Sequence, residues 1–412
     1  RSTIFDKNAY GGGHTASFEH PGGFIFDEGP HISFTSDKRV QEILAGNVND
    51  EYEVLEAGVN NHWRGHWIKH PAQCNLHGLP TDLLVETLCD FIGAQHREPG
   101  PIENYEDWLV ASYGRTFAET FPMEYGRKYH TAEAKDMSTD WLGPRLYRPK
   151  MEEILRGALT PETKNVHYVK DFRYPSRGGF GSYVTPFLKL ADLELSHKLV
   201  RLDPKRRELH FENGVTGSYD GLVSSIPLPV LIPMIDGVPE EVVEASRLLA
   251  ASICVLVNIG IPREDISPAH WTYFYDRDYF MTRLSFPHMF SPHNVPPGHG
   301  SFQAEVYFSD KYRPLDRSPD ECIEPVIDDL RRCGLLREDD EIVFKEAHLI
   351  PFANVIFDHD RKGALETVHG YLDEIGVAYC GRYGEWGYHW TDNAFMSGEG
   401  AAQRLIDAGT AG

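Results

Sequence analysis

Ser2-Thr3-Ile4-Phe5-Asp6, followed by Gly11-Gly12-Gly13-His14 and then by Phe24-Ile25-Phe26-Asp27-Glu28-Gly29-Pro30-His31, is the stretch whose reading decides the fold. A short β-branched and aromatic run that ends in an acid has the form of the second strand of a dinucleotide-binding unit. There the acid accepts hydrogen bonds from an adenosine ribose. The glycine triplet after it lets backbone pass close to a flat ligand with no Cβ in the way. The plainer alternative is a surface strand followed by a Gly-rich turn. In a dinucleotide-binding unit the Gly-x-Gly-x-x-Gly turn lies one strand and one helix earlier, about 20 residues before the acid. The chain begins at Arg1, so this reading expects the first strand, its phosphate turn and its helix to be missing.

Working outward, 412 residues predict two or more domains. A hydrophobic fraction of 41% with 12% aromatics is that of a globular chain. The longest apolar run, Ala250 to Val257, is too short to span a bilayer. A net charge of −22 repels nucleic acid and anionic membrane. An anionic ligand must then be held locally, by a few placed arginines or by helix N-termini. Cys74, Cys89, Cys254, Cys322, Cys333 and Cys380 are scattered, with no CxxC pair, which predicts reduced thiols and a cytoplasmic protein.

A short helix and a turn are expected over 38–58. His62, His66 and His70 stand four residues apart, where a helix would align three imidazoles for a metal. Gly65, Pro71 and the strand-like Trp63, Trp67 and Ile68 argue against that helix, and no acid or thiol completes a ligand set, so no metal is expected. Residues 81–156 read as mostly helical, with a new helix starting near Tyr105. Strands are expected over 195–202 and 208–211, with Asn213-Gly214 as a turn, and again at 222–226 and 252–261. Three antiparallel strands over 271–308, an amphipathic helix over 319–334 and a strand over 342–350 follow. The chain closes on a strand breaking at Gly381 and a helix over 393–408, a second place where a helix N-terminus faces an anion.

The ordered motifs FDKNAYGGGHTASF, FDEGPHISFTSD, DWLGPR, FRYPSRGGFG, YDGLVSSIP, RLSFPHMFSP and GRYGEWGYHWTDNAFMSG span nearly the whole chain. Together they resemble the FAD-dependent amine oxidase and protoporphyrinogen oxidase superfamily, and within it the UDP-galactopyranose mutases. The resemblance implies an α/β fold with a Rossmann-like FAD-binding domain assembled from 1–60, 166–235 and 351–412. A helical cap over 61–165 and an antiparallel-sheet substrate domain over 236–350 complete it. It implies FAD as cofactor, with Asp6 on the ribose, and Gly12, Gly13, His14, Gly29, Pro30 and His31 lining the isoalloxazine. Val200 would meet the adenine side, and Gly381, Arg382, Asp392 and Asn393 would close on the ring and its phosphates. Arg145 and Arg283 match the arginines that hold a sugar-nucleotide diphosphate in the mutases, and Tyr388 matches a tyrosine beside it. His31 joins these three at the reacting end. Guanidinium forks suit such oxygens, whereas the plain alternative for each arginine is a structural ion pair. In the closing motif the chain departs from the eukaryotic-type mutases, being shorter between Tyr388 and Phe395.

The implied reaction is pyranose/furanose isomerisation of a nucleotide-activated sugar on reduced flavin. Oxidation of a small molecule by hydride transfer to FAD is the alternative. A third reading is a degenerate homologue that binds no flavin. Motifs for zinc hydrolases, serine hydrolases and P-loop nucleotidases are absent from the sequence.

Overall fold

The computed structural model describes residues 2–98, 100–143 and 146–410. Its centre is a seven-stranded sheet built from Phe344–Val355, Ala251–Ile261, Gly300–Phe308, Arg283–Ser285, Trp271–Phe274, Val59–Trp63 and His66–Lys69, in that spatial order. Ala251–Ile261 is buried from Cys254 onward because it lies between two long neighbours and is covered on both faces. Val255, Val257, Ile259 and Ile261 each have no exposed surface, and such side chains contribute about 1.5–3 kcal/mol apiece. The expected antiparallel sheet is mixed in detail, since Trp271–Phe274 runs parallel to Val59–Trp63.

His62, His66 and His70 do not lie on a helix, as Gly65, Pro71 and the strand-like Trp63, Trp67 and Ile68 had indicated. Val59–Trp63 and His66–Lys69 form an antiparallel hairpin, with His62 opposite Trp67 and Trp63 opposite His66. The turn residues Arg64 (φ 46°) and Gly65 (φ 80°) both take positive φ, which is the two-residue hairpin geometry. Among the described residues no group of three or more His, Cys, Asp or Glu is placed to hold a metal ion. The stretch after the first helix, Lys38–Asn47, also holds a strand, Tyr52–Glu56, paired with Asp171–Pro175.

A helical layer, Thr81–His96, Tyr105–Tyr113, Arg115–Thr120, Pro122–Tyr129 and Met151–Leu159, lies over the sheet. Asn104 caps the second of these through Asp107 N–H at 2.9 Å. The last full turn of Pro122–Tyr129 sends Lys128 into the sheet. Its ammonium donates to the carbonyls of Phe274, Asp276 and Met281 at 3.0, 2.9 and 2.7 Å.

Two further parallel pairs lie outside that sheet, Thr3–Phe5 with Asp192–Glu194 and Leu222–Ser224 with Val377–Tyr379. Leu199–Asp203, Glu208–Phe211 and Thr216–Ser218 make a three-stranded antiparallel sheet, with Asn213 and Gly214 in its second turn. Val223, on the strand expected over 222–226, is 36% exposed. Among the described residues no helix is long and apolar enough to cross a membrane.

The first forty residues and the last thirty are joined. Arg39 forks onto Glu399 at 2.6 Å on each arm, and its guanidinium lies 5.8 Å from the Phe395 ring. The pair is half-exposed, so solvent screens most of its attraction. Aromatic packing carries more: Phe34 meets Trp390 edge-on at 4.9 Å, and Trp390 stacks on Tyr168 at 5.7 Å. Asp27 fixes the N-terminal segment to the sheet layer. Its carboxylate accepts from Ser17 Oγ, Tyr174 hydroxyl and Phe180 N–H, and its carbonyl accepts from Gln303.

Candidate active site

Two Gly-rich turns face each other where the chain ends meet. In the first, Gly12 (φ 106°) and Gly13 (φ 54°) open a single 3₁₀ turn, Gly13–Thr15. In the second, Gly381 (φ 72°) starts the short helix Gly381–Gly384, its N–H held by Ser397 Oγ at 2.8 Å. A Cβ built on Gly13 or on Gly381 would meet no protein atom within 4 Å. Both turns therefore present bare backbone to space the chain itself leaves unfilled, as a cradle for a flat group does. The rings of His14 and Tyr383 meet edge-on at 5.6 Å, which brings the two turns close together.

His31 lies on the same space. Its Nδ1 donates to the Gly29 carbonyl at 2.7 Å, which leaves Nε2 as the acceptor, and its ring packs on Phe180 at 5.4 Å. Burial, then the nearby charges of His14, Arg382 and Arg283, push the imidazole down to about 4, so it is neutral at neutral pH. The three residues whose fields it feels come from positions 14, 283 and 382. The structure thus brings positions 14, 31, 283 and 382 of the sequence-derived set into one neighbourhood.

Arg283 and Tyr388 form its other wall. Arg283 forks onto Glu305, through Nε on one oxygen and through Nη2 on the other at 2.7 Å. Burial would lower the guanidinium's proton affinity, but the Glu305 charge and hydrogen bonds raise it well above the ordinary arginine value. The structural ion pair foreseen as the plain alternative is therefore present. Nη1 is the donor it leaves over. Tyr388 shares a 2.7 Å hydroxyl–hydroxyl hydrogen bond with Tyr129, whose ring lies 6.0 Å from the Arg283 guanidinium. Arg382 sits 5.5 Å from the Tyr388 ring and spends its donors on Ala353 and His389 carbonyls and on Asn354 Oδ1. It fastens the closing loop through neutral acceptors, and among the described residues no carboxylate forms a salt bridge with its charge. Arg145 lies outside the described residues.

Farther along, Asp6 ends the parallel strand Thr3–Phe5 and accepts from Asn8 N–H at 2.8 Å through Oδ1. Asp392 and Asn393 open the helix Thr391–Thr410, where Asn393 Oδ1 accepts from Trp390 N–H. Val200 is 42% exposed on the antiparallel sheet. Pro30 continues the Gly29 turn toward His31.

Sequence reasoning missed the residues behind these. Glu28, 8% exposed, accepts from Tyr10 and His14, and Glu305 neutralises Arg283. Tyr129 pairs with Tyr388. For Glu305 the signal is cross-strand register, since Arg283 and Glu305 are direct partners on adjacent strands. A cavity of about 270 Å³ lies elsewhere, at the start of Val59–Trp63, lined by Gly58, His70, Asn165 and His167 among others and bordered by none of the residues above.

The glycine cradle, the acid at the end of a parallel strand and the N-terminus of a 20-residue helix fit a bound dinucleotide carrying a flat ring. The family model for flavin-containing amine oxidoreductases matches residues 1–406. Among solved structures, reduced UDP-galactopyranose mutase superposes with a TM-score of 0.92 at 26% identity, covering 98% of this chain and 88% of that one. A protein assigned as a protoporphyrinogen oxidase, from Exiguobacterium sp. 255-15, gives 0.72 at 14% identity, covering 98% and 92%. Cyclohexylamine oxidase from Brevibacterium oxydans IH-35A gives 0.65 at 12%, covering 98% and 93%. These last two share the fold.

Proposed function

Because this chain belongs to the family of flavin-containing amine oxidoreductases and is an FAD-dependent enzyme, we propose that it isomerises a nucleotide-activated sugar between its pyranose and furanose forms. The observation that carries this reading is the likeness to reduced UDP-galactopyranose mutase over 98% of the chain at a TM-score of 0.92. Bound FAD supplies an electron-rich ring that can bond a sugar carbon in this reading, or a hydride acceptor in the alternative.

The chain's own residues position and screen. Arg283, fixed by its fork on Glu305, offers Nη1 to a diphosphate oxygen with little entropy left to lose. Tyr388 and Tyr129 offer a hydroxyl pair to the same oxygens, and Arg145 is the second arginine assigned to them. Neutral His31 presents Nε2 as an acceptor for a sugar hydroxyl. Gly12, Gly13, Gly29 and Pro30, with Gly381, Arg382, Asp392 and Asn393 from the closing segment, are the residues that would hold the ring and its phosphates. Asp6 and Val200 are assigned to the adenosine end. A leaving diphosphate is stabilised by placed donors, so no side-chain nucleophile is required.

One observation favours the redox alternative. Glu305 already balances Arg283, and Tyr125, Tyr273 and Tyr307 give this wall an aromatic lining that suits an apolar substrate. The two readings separate in one anaerobic experiment. Enzyme reduced with dithionite is mixed with UDP-galactopyranose, and the products are resolved by chromatography. The proposal expects furanose product from reduced enzyme alone, with no net electron transfer. Unchanged sugar nucleotide, together with bleaching of the oxidised flavin by an amine or alcohol, would replace it with the oxidoreductase reading.

A further inference from the structure

Two imidazoles face the space between the glycine turns, and their backing differs. His31 is tied through Nδ1 to a carbonyl, that of Gly29 at 2.7 Å. His14 is tied through Nδ1 to a carboxylate, Glu28 Oε1 at 3.1 Å. The same carboxylate accepts the Tyr10 hydroxyl on Oε2 at 2.8 Å, and His348 Nε2 stands 3.9 Å from Oε1. Glu28 is 8% exposed, whereas His14 is 32% exposed with its ring edge toward Tyr383.

Backing of this kind decides what each ring does with a proton. A carbonyl on Nδ1 fixes the neutral tautomer and adds no charge to hold an imidazolium. A carboxylate on Nδ1 fixes the same tautomer and also stabilises the ring once Nε2 is protonated. Pairs of like groups whose surroundings push them apart mark out acid and base roles. Burial would push the Glu28 carboxyl up, but hydrogen bonding from His14 and Tyr10, with His348 close by, holds it down at about 2, so it is a fixed anion over the working range.

We propose that Glu28 and His14 form a carboxylate–imidazole dyad, in which Glu28 is the positioning residue and His14 Nε2 takes up and returns one proton as the charge on the bound ring changes. The proposal rests on the FAD reading. In proton terms the step is closed: two electrons from an external reductant and one solvent proton would leave the ring with one negative charge, a second solvent proton binds Nε2 against that charge, and both protons return to solvent when the electrons leave. His14 itself is neither oxidised nor reduced. The other groups around the dyad are Asp6 beside Tyr10, Tyr383 and Arg382 from the closing segment, His31 and Arg283 across the space, and Glu346 with His20 beyond His348. None of them offers His14 a second carboxylate within hydrogen-bond reach among the described residues.

The test is the midpoint potential of the FAD-loaded protein, measured with dithionite and redox dyes across pH 5 to 9. Wild type should show a break in slope within this range. Glu28→Gln keeps an oxygen to accept from Nδ1 but removes the charge, and it should move the break to lower pH by about one unit or more, a roughly tenfold loss of proton affinity. His14→Gln should abolish the break, and Glu28→Asp should return it toward the wild-type position. Nitrogen NMR of the flavin-free protein should find His14 in the Nδ1–H tautomer, lost in Glu28→Leu. A break that stays in place in both Glu28→Gln and His14→Gln would overturn the dyad. A wild-type protein that takes up no flavin would overturn the FAD reading, and it is recognised before any potential is measured.

Discussion

Arg283→Ala is expected to lower the stability of the fold by about 3–5 kcal/mol, because it leaves the Glu305 carboxylate buried and unpaired. Glu305 is 4% exposed, and Arg283 supplies both of its charge-assisted hydrogen bonds. Urea unfolding would register the loss as a fall in midpoint at unchanged slope. The same variant removes the Nη1 donor, so weaker binding of UDP-galactose alone would not separate a ligand role from a structural one. A second variant does so. Arg283→Met combined with Glu305→Leu removes both charges and replaces them with apolar groups of similar volume, a change that is often neutral or stabilising. If this double variant is stable yet binds UDP-galactose about tenfold or more weakly, Arg283 holds ligand as well as Glu305. Wild-type affinity in the double variant would leave Arg283 as a structural ion pair alone.

Lys128→Met carries the other large effect. The ammonium has three hydrogens and three carbonyl acceptors, from Phe274, Asp276 and Met281, and the residue is 5% exposed. Methionine fills the space of the stem but leaves three carbonyls without that donor. At about 1–3 kcal/mol for each buried polar group stranded, a total loss of about 3–5 kcal/mol is expected after partial rearrangement. Thermal and urea unfolding should both show it. A variant within about 0.5 kcal/mol of wild type, the range of an ordinary surface change, would mean that those carbonyls find other donors. The effect should reach Arg283 too, since Met281 lies just before that strand and Lys128 just before Tyr129.

Much of this arrangement was legible before any coordinates. Ala251–Ile261 announced itself because a strand buried on both faces must be apolar at nearly every position. The pairing of first and last segments followed from the two Gly-rich turns, whose backbones do take positive φ. What escaped is of another kind. Gly65, Pro71 and the strand-like Trp63, Trp67 and Ile68 pointed away from a helix through His62, His66 and His70, but the parallel neighbour that holds the hairpin, more than two hundred positions away, is not written in that stretch. Glu28 gave no sign in the sequence because its meaning comes from His348, on a strand at the far edge of the central sheet. Arg283 was read as a ligand arginine or an ion pair, and it is the second at least. Single positions reveal their type, but a charge is defined by its partner, and partners here are set by tertiary register.

The central claim, that both ends of the chain close on one FAD molecule, is tested most directly by titrating FAD into the protein and following flavin fluorescence. Wild type, Gly13→Val and Gly381→Val should be compared, since valine at either position is strained at positive φ and puts atoms into the shared space. The account predicts saturable binding of one FAD per chain in wild type, and at least tenfold weaker binding in each variant although they stand at opposite ends of the sequence. No binding by wild type, or equal binding by all three, would contradict it.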